Sequence, residues 1–396
     1  MQTSDSRVTC NMSRDYSGAV CASGPALLRT LCALMTRRET SPPPSDQRPA
    51  LLDRARVHRV ERLVVRAVRE RGEDLSAWFG DDAAGLDDER GPAVVDAIRT
   101  RELRSVIDAL AAIDGAAPVV FKGAALAHSH YPAPWLRPRL DTDLLISPSH
   151  IAGAASALAA LGYARAVTIP GALVLSQASF SRTDDVGVEH ALDVHWKIAN
   201  WHVIAAALSH DEIAGRAVPL PVLGPHARAA AGRDALVLAC LHRAAHHRDS
   251  GELLWIYDIH LIAQRLSADD WTAAVAVARR AEVKALCARG LALAIEWFDA
   301  PVPPDVVRAL DTRADAAAEL SAVYLSSDQR LVDGLITDLR ALPVRKRVQL
   351  LMQHLFPPPE YMRQRYQTRS RVSIALWYVR RMASGVPKWF VRRSGS

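Results

Sequence analysis

The chain is poor in the features that announce several common protein classes. Aromatic residues are only 6% of its 396 positions while alanine and arginine are heavily used, a composition that reads as a globular protein with much helix. Its five cysteines (Cys10, Cys21, Cys32, Cys240, Cys287) include no CxxC pair. That argues against a disulfide framework or a cysteine-based zinc module and points to a reducing, cytoplasmic setting. No stretch reaches the roughly 18 uninterrupted apolar residues a membrane span needs. The N-terminal stretch carries Asp5, Arg7, Arg14 and Asp15 without a compact apolar run, so no signal peptide is expected. No internal repeat of fixed period is present.

What is present is a hydrophobic share of 49%, enough to bury a sizeable core in two domains, or in one with large additions. The net charge of +6 is unevenly spread: from Arg345 onward there are 12 Arg or Lys against the single acid Glu360. Attraction to anions is therefore expected to concentrate at the C-terminal end.

Residues 1–49 read as a poorly ordered N-terminal segment with a short amphipathic helical pattern at 25–38 and a Pro-rich linker at Pro42, Pro43 and Pro44. Residues 50–116 have helical apolar spacing. At 117–225 the pattern becomes α/β. PVVF is a short buried strand, DTDLLIS a second and VEHALDVHWKI a third by alternation, with SHIAGAASALAALGY as a helix closed by Gly162. A strand or hairpin with a Pro170-Gly171 turn is expected within 163–188. Residues 226–385 read as a helical domain and 386–396 as a loose tail. The fold class expected is α+β, a small mixed sheet with helical additions at both ends.

The chemistry-bearing pattern lies in the α/β segment. On a strand Asp141 and Asp143 share one face, about 7 Å apart. Carboxylates so placed repel, and burying them calls for a cation; Mg²⁺, with Mn²⁺ as the alternative, suits carboxylate oxygens completed by phosphate and water. Asp193 and His195 share a face of the third strand. If that strand lies beside the second, three carboxylates converge, as in a two-metal displacement at phosphorus. A bare DxD is otherwise a common solvated turn, and only the combination lifts it above that.

The succession VVFKGAALAHSHYPAPWLRPRLDTDLLIS, LGY and LDVHWKI resembles the uncharacterised nucleotidyltransferase family of the DNA polymerase β superfamily. LHRAAHH, LLWIYDIHLIA and LFPPPEYMRQRY extend the resemblance over roughly residues 50–380. It implies a nucleotidyltransferase core in which Asp141, Asp143 and Asp193 bind metal and carry catalysis. The substrates it implies are an NTP, ATP first, and a small-molecule or peptide acceptor, since some members lie beside biosynthetic gene clusters. Lys122, Gly123 and Ala124 would meet the nucleotide phosphates, although Ala124 stands where Ser is usual. The Gly123-to-Asp141 spacing is also longer than the superfamily's common range. Lys122 would then supply the phosphate-binding cation.

Arg137 and Arg139, just upstream of the pair, are candidate phosphate clamps, against the simpler reading that they pair with an aspartate. Tyr131 and Trp135 read as core packing rather than a base-stacking edge. His195, His242, His246 and Asp258 are expected to line a cleft, with Asp258 bonded to a histidine of the preceding helix. Zinc at His242 and His246 lacks the Glu of HExxH and a full ligand count. The basic C-terminal segment, with Trp377, Tyr378, Trp389 and Phe390, reads as helix packed on the body, with membrane-surface or nucleic-acid contact as the alternative. No RNA-binding module is visible, so nucleic acid is not expected as partner. Two other readings compete: an inactive nucleotide-binding or interaction protein, motivated by Ala124, and a histidine-based metal hydrolase.

Overall fold

The computed structural model describes residues 24–86, 88–168, 171, 173–311, 319–326, 330–368 and 371–390. Its centre is a mixed seven-stranded sheet of order β3-β4-β5-β2-β1-β7-β6. The strands are β1 (Val119–Phe121), β2 (Thr142–Leu145), β3 (Ala164–Arg165), β4 (Gln177–Thr183), β5 (Glu189–His195), β6 (Val218–Pro219) and β7 (Arg228–Ala229). Strand β2 runs parallel to β5 and antiparallel to β1, and β1 runs parallel to β7. The α+β class read from the sequence is the observed one.

Alternation along the central strands gives the sheet two different faces. Val120, Leu144, Leu192 and Val194 point to one side, where they pack with Leu103, Val106 and Ile107 of the helix Arg90–Ala111 and with Ala154 and Leu158 of the helix Ile151–Ala160. Val119, Phe121 and Leu145 join the other, larger core, built mainly from helices on both sides of the sheet segment in sequence. Asp143, Asp193 and His195 have the strand parity of this second face. The sheet thus buries one wholly apolar face and offers its polar positions toward the helical body.

The helices follow from their apolar spacing. Glu61–Glu70 buries Leu63, Val64, Val65 and Val68 while its arginines face outward. Leu253–Ala263 is buried on every side, as expected for a near-continuous apolar run at the centre of a helical body. Ser267 and Asp270 close a capping box at the start of Ala268–Arg280.

Several sequence expectations need correction. The helix Gly24–Met35 places Leu27, Leu31, Cys32 and Leu34 in the main core, so this part of 1–49 is built in rather than poorly ordered. Three helical turns' worth of apolar side chains outweigh the proline break that follows. The sheet also runs past residue 225, because β7 pairs with β1 through Val119 and Val120. Two-residue strands such as β6 and β7 carry too few positions to show alternation. Expectations for residues 1–23, Pro170 and residues 391–396 of the tail fall outside the described residues, while 386–390 of the expected loose tail continue the helix Arg371–Phe390.

The basic segment forms the helices Val344–Leu355, Pro359–Tyr366 and Arg371–Phe390. Trp377 and Tyr378 pack on a small cluster of Tyr361, Met362 and Ile374, while the side chains of Trp389 and Phe390 lie outside the described set. Cys32, Cys240 and Cys287 are free and buried. Among the described residues no helix is long and apolar enough to cross a membrane.

Candidate metal and nucleotide site

The parallel pairing of β2 and β5 sets Asp143 directly opposite Asp193, and Leu145 opposite His195. Register alone therefore brings together acids fifty residues apart in sequence. Asp143, Asp193 and His195 each offer a ligand atom, and these atoms lie within 4.8 Å of one another.

Asp143 Oδ1 accepts from Lys122 Nζ at 2.7 Å and faces His195 Nε2 at 2.7 Å. Lys122 Nζ is also 3.4 Å from His195 Nε2. Burial alone would raise the Asp143 carboxyl, but the Lys122 charge and the His195 bond outweigh it and hold the group well below the usual carboxylate range. Burial, followed by the Lys122 charge, holds His195 below its ordinary value. A neutral imidazole is the form that ligates metals. Its Nδ1 is buried without a hydrogen-bond partner, and its ring meets Phe121 edge-on at 5.1 Å.

Asp193 is fixed by a residue the sequence reading did not single out. Gln177, on β4, donates from Nε2 to Asp193 Oδ2 at 2.6 Å, and Gln177 is the register partner of His195. The alternation in QASFSRT was the available signal, because it puts position 177 on the polar face.

Asp141 is placed differently from the expectation. Strand β2 begins at Thr142, leaving Asp141 exposed just ahead of it and outside the three-residue ligand cluster. His195 takes the third place in that cluster. Asp141 still senses the site. Surrounding protein and then the charges of Asp143 and Asp193 push its carboxyl up to about 6. The side chain is open to water, which weakens the effect of burial relative to that of the two neighbouring charges.

The two arginines are engaged elsewhere. Arg137 makes a two-pronged pair with Asp258, Nε to Oδ1 at 2.9 Å and Nη2 to Oδ2 at 2.6 Å, and Tyr131 donates to the same Oδ1 at 2.7 Å. Asp258 thus bonds an arginine and a tyrosine rather than the histidine expected. Arg139 pairs with Asp96 and donates to the Pro134 carbonyl. In both cases a buried guanidinium takes the carboxylate within reach, which leaves neither free as the expected phosphate clamp. Trp135 is partly buried and packs against the main core, in line with the core-packing reading.

Gly123 follows Lys122 at the start of the helix Lys122–Ser129. A Cβ there would run into the Arg137 guanidinium, so the close approach of that side chain requires glycine. Ala124 is buried and packs in the sheet-side core.

The histidines gather on the helical side of Lys122. The helix Gly232–Leu241 continues into a π-helical turn over His242–His246, a geometry frequent at functional positions. His242 Nε2 is 3.0 Å from His247 Nε2, and His247 stacks on Trp255 at 3.6 Å. Burial first, then the Lys122 charge, lowers His246 to about 3 and holds His242 well below its ordinary value. A cavity lined by Lys122, Gly123, Arg137, His242, Trp255 and Asp258 adjoins this cluster.

The donor set of Asp143, Asp193 and His195 fits a divalent cation: two carboxylates, one neutral imidazole and a spacing within reach of one ion. Oxygen ligands favour Mg²⁺, and the imidazole makes Mn²⁺ equally acceptable.

A search of curated proteins finds no match to this chain. A family model described as uncharacterised nucleotidyltransferase matches residues 44–299, which covers the sheet, the ligand cluster, the arginine–aspartate pair and the histidine turn. The segments after Asp299 lie beyond that match, including LFPPPEYMRQRY. The chain belongs to the uncharacterised nucleotidyltransferase family and is a transferase of that kind.

Proposed function

We propose that the protein moves a nucleoside monophosphate from an NTP, ATP first, to a hydroxyl or similar group of a small-molecule or peptide acceptor, with a divalent cation held by Asp143, Asp193 and His195. The observation that carries this reading is the register match of Asp143 with Asp193 on adjacent parallel strands, with His195 on the same face. Bound there, Mg²⁺ or Mn²⁺ would supply charge neutralisation at the phosphates. Asp141, at the open edge of the site, would add a carboxylate from the solvent side.

The remaining work falls to the chain's own residues. Asp193, oriented by Gln177, takes the proton of the acceptor hydroxyl. The acceptor oxygen bonds the α-phosphorus as the bond to pyrophosphate breaks. Lys122 lies where an ammonium can meet the phosphates. The buried Arg137–Asp258 pair acts at one remove, fixing Gly123 and the start of its helix.

The test is incubation with each α-labelled NTP and cell extract, followed by mass spectrometry of the labelled species. Label transfer should vanish in Asp143→Asn and Asp193→Asn. Transfer retained by an Asp143/Asp193 double variant sinks the reading. Alanine at position 124, which leaves no hydroxyl at the expected phosphate turn, favours a second reading as a nucleotide-binding protein without turnover. Binding of Mg-ATP by calorimetry with no product on any acceptor would select it.

A further inference from the structure

Lys122 occupies a demanding position. Its backbone has φ of +52°, a left-handed conformation uncommon for a lysine. Its side chain and that of Asp143 are only 8% and 11% exposed. The ammonium lies 4.7 Å from the centre of the Phe121 ring and within reach of both Asp143 Oδ1 and His195 Nε2. Those are two of the three donors of the proposed cation site. The strained turn thus directs a monovalent cation to the atoms a divalent cation would claim, and strain of this sort gathers where function over-determines the backbone.

We propose that Lys122 is a built-in competitor for the metal. Its ammonium and the divalent cation exclude one another at Asp143 Oδ1, so the metal enters fully only when a triphosphate takes over the ammonium. This rests on the metal-site reading above. The charge arithmetic supports it. Asp143 is the carboxylate that Lys122 pairs with, Asp193 belongs to the same proposed cation site, and the imidazoles of His195, His242 and His246 carry no negative charge. An ammonium displaced from Asp143 into this low-dielectric surrounding needs a new negative partner. The phosphates of an incoming NTP are that partner, and cation and nucleotide binding become coupled in the thermodynamic sense that each strengthens the other. Lys122 is on this account a specificity device that keeps a bare divalent ion from settling in the site without nucleotide.

The test uses the full chain and Mn²⁺ alone, with free Mn²⁺ followed by electron paramagnetic resonance and folding checked by circular dichroism. Lys122→Gln should bind Mn²⁺ at least about tenfold more tightly than the wild type, because a close, desolvated charge pair is worth that factor or more. Lys122→Arg, which keeps the charge, should stay near the wild type. Lys122→Met keeps the apolar stem over Phe121 and replaces the glutamine variant should that one fail to fold. Adding Asp193→Asn to Lys122→Gln should abolish the gain, which locates the bound ion. Mn²⁺ binding that requires Asp143 and Asp193 but is equal or weaker in folded Lys122→Gln overturns the competition and leaves the metal site standing. No Mn²⁺ binding by wild type or by either neutral variant removes the metal site, and the competition with it.

Discussion

The pair of Arg137 and Asp258 offers the sharpest energetic prediction. Their side chains are 7% and 5% exposed, and the contact is two-pronged. Asp258→Ala removes the carboxylate and leaves a guanidinium that cannot lose its proton inside the protein. Breaking such a pair costs about 3–5 kcal/mol, because the surviving charge stays desolvated. The Tyr131 hydroxyl loses its acceptor as well, which adds about 1–3 kcal/mol if it finds no replacement. Water entering through the adjoining cavity would soften both costs, so a loss of about 3 kcal/mol is the lower bound expected. Replacing both partners, Arg137→Met with Asp258→Leu, should cost markedly less than Asp258→Ala alone, since no charge is then stranded. Urea unfolding of the wild type, Arg137→Met, Asp258→Leu and the double variant measures the coupling directly, with Asp258→Ala unfolded beside them. A loss below about 1 kcal/mol in Asp258→Ala, in the range of exposed pairs, would refute the argument that this arginine is committed to Asp258.

Other outcomes follow from the same contacts. Gly123→Ala should drive the Arg137 guanidinium from its place and cut nucleotidyl transfer while leaving secondary structure intact; unchanged transfer would separate Gly123 from the site. Gln177→Ala should lower the turnover rate more than nucleotide affinity, because it frees Asp193 to rotate, and steady-state kinetics reads the split. Burial pushes the Asp338 carboxyl up to about 7. Its folded value thus lies above its unfolded value, so the folded state holds the extra proton and stability falls as pH rises from the unfolded value through about 7. Asp338→Asn should therefore raise the melting temperature at alkaline pH and have little effect at acid pH, and melting curves at the two extremes decide it.

The parts of this fold that were legible in the sequence are those with local signals. VVF, TDLL and EHALDVH carry β-branched runs or alternation, and each is a strand. The shared face of Asp193 and His195 follows from period two alone. What the sequence could not show depended on partners far along the chain. Arg137 looked free for phosphate because its partner, Asp258, is 121 residues away. Lys122 looked free although Asp143 is only 21 residues away, because no local pattern specifies how the strand of Asp143 pairs. Asp141 lies just ahead of the strand that starts at Thr142, outside the three-residue ligand cluster but near enough to sense the charges of Asp143 and Asp193.

The central claim is that Asp143, Asp193 and His195 hold the divalent ion of a nucleotidyltransferase. Crystals grown with Mn²⁺ and a non-hydrolysable NTP analogue, measured at the manganese absorption edge, test it most directly. The account predicts an anomalous peak bounded by those three side chains, with Lys122 Nζ shifted from Asp143 toward the phosphates. A peak held elsewhere, or nucleotide bound with Lys122 still on Asp143 and no manganese between the strands, would contradict it.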